Sequence, residues 1–126
     1  MEKLLLVAGG SAAGGLSRYL LAGTIQRIFG DAFPVGTLTV NILGCLAAGM
    51  LAAFLQTPGT MREELRLLAA VGFLGGFTTF SAYATDVSAV ARCGAWGAAL
   101  MNVVLSNLLS VGAAAMGFWV CRKLLG

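Results

Sequence analysis

The sequence predicts an all-α integral membrane protein with four transmembrane helices per subunit, the third of them broken in mid-membrane. Three observations carry that prediction. Of the 126 residues, 59% are hydrophobic and only 10% charged, with a mean hydropathy of +0.91, the composition of helical membrane proteins. The few charges divide the chain into four apolar stretches, each near the roughly 20 residues that a helix needs to cross a bilayer. One of these, the 19 uncharged residues from Leu67 to Thr85, contains the run Gly72-Phe73-Leu74-Gly75-Gly76-Phe77-Thr78-Thr79-Phe80-Ser81. Its paired glycines cost about 1 kcal/mol each in helix propensity. Backbone at lipid depth leaves the helix only where protein or a watery cavity receives it. Gly75 to Thr79 therefore reads as a helix break that exposes carbonyls and N–H groups, as in the broken helices of transporters. Gly72 and Gly76 also form a GxxxG pair, the signature of close helix packing.

The same composition removes several function classes. There is no histidine, which excludes a histidine general base or metal ligand, and no basic cluster suggests nucleic acid. Cys45, Cys93 and Cys121 are scattered without CxxC spacing and read as small buried apolar residues. No nucleophile–base or metal constellation appears, so an enzyme is the weakest reading.

Span one runs from about Leu4 to Ile25. Its start loosely imitates a signal peptide, but the apolar pattern resumes after Arg18 and three more spans follow, which makes it a retained span. Gly10 and Gly14 carry a close-packing spacing. Arg18 either snorkels to the interface or faces protein or water and attracts an anion. Gln26 to Pro34 is a polar, turn-rich connection.

Span two, Gly36 to Leu55, has no charge and contains Asn41. An intramembrane asparagine glues helices together or offers donors to a dehydrating ion, and both readings stay open. Gln56 to Arg66 is a loop with a Pro58-Gly59 turn and a solvated charged edge. Span three extends from Leu67 to about Val90 and contains Asp86, whose place five uncharged residues before Arg92 favours the interface over a wet cavity.

Span four, residues 96–120, lies within 29 uncharged residues from Cys93 to Cys121. Asn102, Ser106 and Ser110 recur every fourth position and share one helix face. They form a polar track about 12 Å long, which favours a pathway over simple glue. Both termini fall on one side, with five cations (Lys3, Arg62, Arg66, Arg122, Lys123) against Arg27 and Arg92 on the other. The positive-inside rule then puts the termini in the cytoplasm. Four short helices hardly enclose a path alone, and the glycine-rich faces predict a dimer.

Gly9-Gly10-xxx-Gly14-xxx-Arg18-Tyr19, then Gly36-Thr37-Leu38-xx-Asn41-xx-Gly44, then Gly72-xx-Gly75-Gly76-x-Thr78-Thr79-Phe80-Ser81 resemble the Fluc (CrcB-type) fluoride channels over the whole length. The resemblance implies a dual-topology homodimer of antiparallel subunits with two fluoride pores in a bacterial inner membrane. It implies a central structural sodium ion held by the backbone carbonyls of Gly75 and Thr78. It implies a pore lined by Asn41, Phe80 and Tyr83, together with Thr79, Ser81 and the span-four face of Asn102, Ser106 and Ser110, with Arg18 in the vestibule region. Two departures stand out. Tyr83 takes the place of the family's second pore phenylalanine, and Ala82 replaces the hydroxyl residue common after Ser81.

Passive flow of fluoride is the expected activity, giving fluoride resistance. Hydroxyls and amides would replace the ion's water, and the positive ring edges of Phe80 and Tyr83 would face it. Phe77, among glycines, reads as a packing residue. Two rivals compete. A small dual-topology multidrug or cation antiporter would need a proton-carrying carboxylate in its chamber, and span one has none. A non-transporting assembly subunit would use the glycine faces to dock a partner.

Overall fold

The computed structural model describes residues 1–56 and 62–126, so the expected Pro58-Gly59 turn lies outside the described residues. Every regular element among the described residues is a helix, and four segments are long and apolar enough to cross a membrane: Glu2–Phe29, Val35–Leu55, Glu63–Arg92 and Trp96–Leu125.

Helix α1, Glu2–Phe29, outruns the expected first span at both ends. Gly30 stops it at φ 77°, a left-handed conformation that favours glycine. Gln26 then pins the connection. Its side-chain amide donates to the carbonyls of Gly30 and Phe33, and its carbonyl accepts from Gly36 N–H at 3.0 Å. Helix α2, Val35–Leu55, follows Pro34 directly.

The third span is composite. A short α3, Arg62–Leu65, continues into a π-helical segment, Arg66–Leu74, and one last turn, α4, Gly75–Phe77. Thr78 and Thr79 are extended, with ψ at 156° and 119°, and α5 then runs over Phe80–Arg92. The interruption sits near the middle of the span and is shorter than expected, because Gly75 and Gly76 remain helical. Helix propensity argues against those two glycines, yet packing decides. A Cβ on Gly76 would press on the Ser11 carbonyl of α1, so the glycine is there for close approach. Helix α6, Trp96–Leu125, closes the fold after Gly94 at φ 81°.

Glycine-mediated crossings organise these helices: Gly36 of α2 rests on the Ala22 carbonyl of α1, and two larger contacts follow the same rule. On one, Gly10 and Gly14 of α1 meet the backbone of the third span at Leu68, Gly72 and Phe73, and any side chain at either position would overlap a carbonyl. On the other, Gly49 of α2 rests on Ala114 of α6, and Gly117 of α6 rests on Leu46. The GxxxG reading of Gly72 and Gly76 is thus realised, and a break follows it as well. Packing of small residues leaves a thin core of Val40, Ala53, Leu74, Phe77, Ala99 and Ala113. Phe77 stacks on Phe73 with centroids 5.7 Å apart, a packing role as expected. Much of the apolar surface faces outward, including Leu16, Tyr19, Phe80, Leu108 and Trp119, the pattern of a chain that lipid or a second copy must cover.

Candidate functional site

Interrupting a helix strands backbone groups, so their partners define the site. Thr78 turns back on the first half of the span: its N–H and its hydroxyl both donate to the Leu74 carbonyl, at 2.9 and 2.8 Å. Thr79 is clamped by Asn41 of α2. The Thr79 N–H donates to Asn41 Oδ1 at 2.8 Å, and Asn41 Nδ2 donates to the Thr79 carbonyl at 2.9 Å. One side-chain amide therefore satisfies both backbone groups of one residue, as a neighbouring strand would. Thr79 in turn caps α5, its hydroxyl oxygen accepting from Ala82 N–H at 3.1 Å. On the opposite side, Arg18 Nε donates to the Gly76 carbonyl at 3.1 Å, which places a cation at the negative end of the first half-helix. No hydrogen bond within the described chain reaches the carbonyls of Gly75 or Thr78.

The break opens into a cavity of about 230 Å³ between α2, α5 and α6. Asn41, Thr78, Thr79, Phe80, Tyr83, Ser106 and Ser110 all line it, which brings together most of the residues the sequence singled out. The rings of Phe80 and Tyr83 lie 5.3 Å apart and tilted by 56°, so their edges and faces are not parallel to one another. Which groups can donate to an ion follows from which protons are engaged. Thr78 uses its hydroxyl proton on Leu74, and Ser106 uses its own on Asn102 Oδ1 at 2.9 Å. Ser110 makes no hydrogen bond to the described residues, and Thr79 Oγ1 shares only a 3.3 Å contact with Ser81 Oγ besides its cap. Thr79, Ser110 and the second N–H of Asn41 are among the ready donors.

Other expected residues lie elsewhere. Asn102 is 2% exposed and lies behind Ser106 rather than on the cavity wall. Ser81 is exposed and touches the site only through Thr79. Arg18 lines a second cavity, of about 290 Å³, with Thr37 and Thr79, so Thr79 stands between the two. Gly75 and Thr78 border a third, largely apolar space of about 360 Å³ with Gly44 and Leu74. Asp86 lies apart from all three. It borders a cavity of about 440 Å³ with Gln26, Asp31 and Thr37, and its buried Oδ2 has no partner among the described residues.

Sequence reasoning missed three lining residues, Cys45, Asn107 and Val111. Cys45 follows Asn41 by one helical turn, so the i, i+4 rule that found the span-four track would have found it. Asn107 is one residue past Ser106, turned about 100° from the track, and it lines the cavity with Val111 one turn on, where it meets Tyr83 of another helix.

Residues 5–118 match the family model described as CrcB-like protein, Camphor Resistance (CrcB). A relative from Maridesulfovibrio salexigens is 39% identical across 93% of this chain and 96% of its own length. One from Chelativorans sp. is 43% identical across 99% and 100%, and one from Caulobacter vibrioides 41% identical across 98% of both chains. All three relatives bear the name fluoride-specific ion channel FluC.

Proposed function

The chain belongs to the CrcB-like family, a family of ion channels rather than enzymes, and from that premise we propose that it conducts fluoride passively and so confers fluoride resistance. The observation that carries this reading is the cavity at the break, where a helix interruption and two aromatic rings meet a set of hydroxyl and amide groups. Fluoride holds its water tightly, and Thr79, Ser110 and Asn41 would replace that water with donors. Ring edges of Phe80 and Tyr83 carry partial positive charge and would face the ion while excluding water. Lacking any nucleotide or pump machinery in its sequence, the protein would rely on the membrane potential. At 100 mV, negative inside, anion exit is favoured by about 2.3 kcal/mol per charge.

In this reading the break lies at the bilayer midplane of a bacterial inner membrane, and the working unit is an antiparallel homodimer with two pores. Support for a second copy comes from the uncovered second half of the third span. Phe80 is 78% exposed, and no residue of α5 is buried. A side chain that lines an ion path and stands that open needs a wall from elsewhere. Gly9 and Gly15 of α1 also face open space, unlike Gly10 and Gly14 beside them.

The residues at the break fit a small hard cation such as sodium. The unpartnered carbonyls of Gly75 and Thr78 belong to the C-terminal end of a half-helix, where the dipole is negative and carbonyl oxygens hold sodium well. Bound there, sodium would supply a positive charge that ties the half-helix ends of two copies together. Arg18, already on the Gly76 carbonyl, supplies the first cation to the same end.

Reconstitution tests the reading. Purified protein in liposomes loaded with fluoride should release it rapidly, followed with an ion-selective electrode, while chloride stays inside. Folded, dimeric protein that releases neither ion would overturn it.

A further inference from the structure

The cavity at the break holds a hydrogen bond that the residues discussed so far do not explain. Asn107 Nδ2 donates to Tyr83 Oη at 3.2 Å, joining α6 to α5 across the cavity wall. The same Nδ2 donates to the Val103 carbonyl of its own helix at 2.8 Å. A carbonyl oxygen can only accept, so the group facing it is the NH2 end of the amide, and the amide orientation is fixed. Both N–H donors of Asn107 are thereby engaged, one on Val103 and one on Tyr83. Asn107 has no proton left for an ion.

Tyr83 is in the opposite condition. A phenol carries one O–H donor and accepts through its lone pairs. Here the oxygen accepts from Asn107, and no described residue receives the phenol's proton. That proton is free to turn toward the cavity, whose wall also includes Asn41, Thr79 and Ser110. A hydroxyl whose oxygen accepts one hydrogen bond donates the next more strongly, because a chain of hydrogen bonds polarises along its length.

We propose that Tyr83 and Asn107 act as one unit, in which Asn107 holds the phenol oxygen and the Tyr83 hydroxyl donates a hydrogen bond to the anion in the cavity. Tyr83 is the ligand and Asn107 is its positioning residue. The pair adds a strong neutral donor beside the ring edges, so a small anion that accepts strong hydrogen bonds gains more from it than a larger halide. The identity of that anion as fluoride rests on the conduction reading, whereas the donor geometry does not.

The test reads Tyr83 directly. With tyrosine labelled by carbon-13 at Cζ, the full-length protein carries two tyrosine signals, since Tyr19 and Tyr83 are its two tyrosines. The signal absent from Tyr83→Phe belongs to Tyr83. Sodium fluoride titrated into the detergent-solubilised protein should shift that signal saturably, and sodium chloride at the same concentrations should leave it in place. Asn107→Leu should raise the half-saturating fluoride concentration about two- to tenfold, the range of one hydrogen bond. In fluoride efflux, Tyr83→Phe should raise the half-saturating concentration by a similar factor, and adding Asn107→Leu should change nothing further, since two members of one unit are not additive.

A wild-type Tyr83 signal that ignores saturating fluoride, or one that responds equally to chloride, overturns the proposal. Additive effects of the two substitutions overturn the coupling. The two readings fail separately. Fluoride flow with an unmoved Tyr83 signal sinks the donor and spares the channel, while a fluoride-responsive signal in a protein that conducts nothing sinks the channel and supports the donor.

Discussion

Up to Phe77 the third span lies backbone to backbone against α1, through Gly10, Gly14, Gly72 and Gly76. Beyond Phe80 the same span buries no residue and is tethered to its neighbours largely by side-chain hydrogen bonds, from Asn41 to Thr79 at its start and from Asn107 to Tyr83 one turn on. The first half is a fixed wall, because glycine contacts leave no slack for a side chain. The second half is a polar face held at a set distance, and that distance is the cavity. A channel needs both: a rigid anchor for the broken backbone, and a lining whose donors are not all engaged in packing.

The sharpest way to break the comparison is to fill the wall. Gly14→Ala would drive a methyl into the Phe73 carbonyl, for which there is no room. A loss of about 3 kcal/mol is expected, at the upper end of overpacking effects, read as a fall in melting temperature or loss of the monodisperse peak in detergent. Gly112→Ala, on α6 and facing open space, should leave both unchanged. Next comes the tether. Asn41→Leu would strand the N–H and the carbonyl of Thr79, costing about 2 kcal/mol, with fluoride efflux lost even from the protein that remains folded. Smaller again is the cap: Thr79→Ala should cost about 1 kcal/mol in thermal unfolding, and Thr79→Ser should restore it. The smallest effect belongs to the exposed cluster at the entrance to the third span, where Glu63 bridges Arg66 at 3.1 Å and Lys3 at 3.7 Å. Glu63→Gln should leave both the melting temperature and efflux within error, since exposed ion pairs are screened and entropically costly.

Much of this arrangement was legible in the residues. Four spans followed from where the charges fall, and the break followed from Gly75-Gly76 with Thr78-Thr79, although only the threonines leave the helix. The glycine pairs announced close packing, but not that Gly10 and Gly14 would meet Gly72 and Gly76, since a GxxxG spacing carries no address for its partner. The π-helical stretch over Arg66–Leu74 was invisible, because its residues show the apolar pattern an α-helix would. Asn41 had two open readings, and the structure combines them: it glues the backbone of Thr79 and lines the cavity with the same amide. The span-four track does lie along one continuous helix. Rotamers then divide it, with Asn102 turned into the core, Ser106 engaged on it and Ser110 left open. Asn107 could not be read at all, for its role depends on a tyrosine 24 positions away on another helix.

One native side chain permits a direct test that the cavity at the break is the ion's path. Cys45 lines it, half-buried, whereas Cys93 and Cys121 lie outside it. In liposomes that pass fluoride, silver ion added in chloride-free solution should bind the Cys45 thiol and arrest the efflux. Cys45→Ala, with the other two cysteines kept, should conduct and ignore silver. Efflux through the wild type that silver leaves untouched, or a block that persists in Cys45→Ala, would mean that fluoride travels by another route.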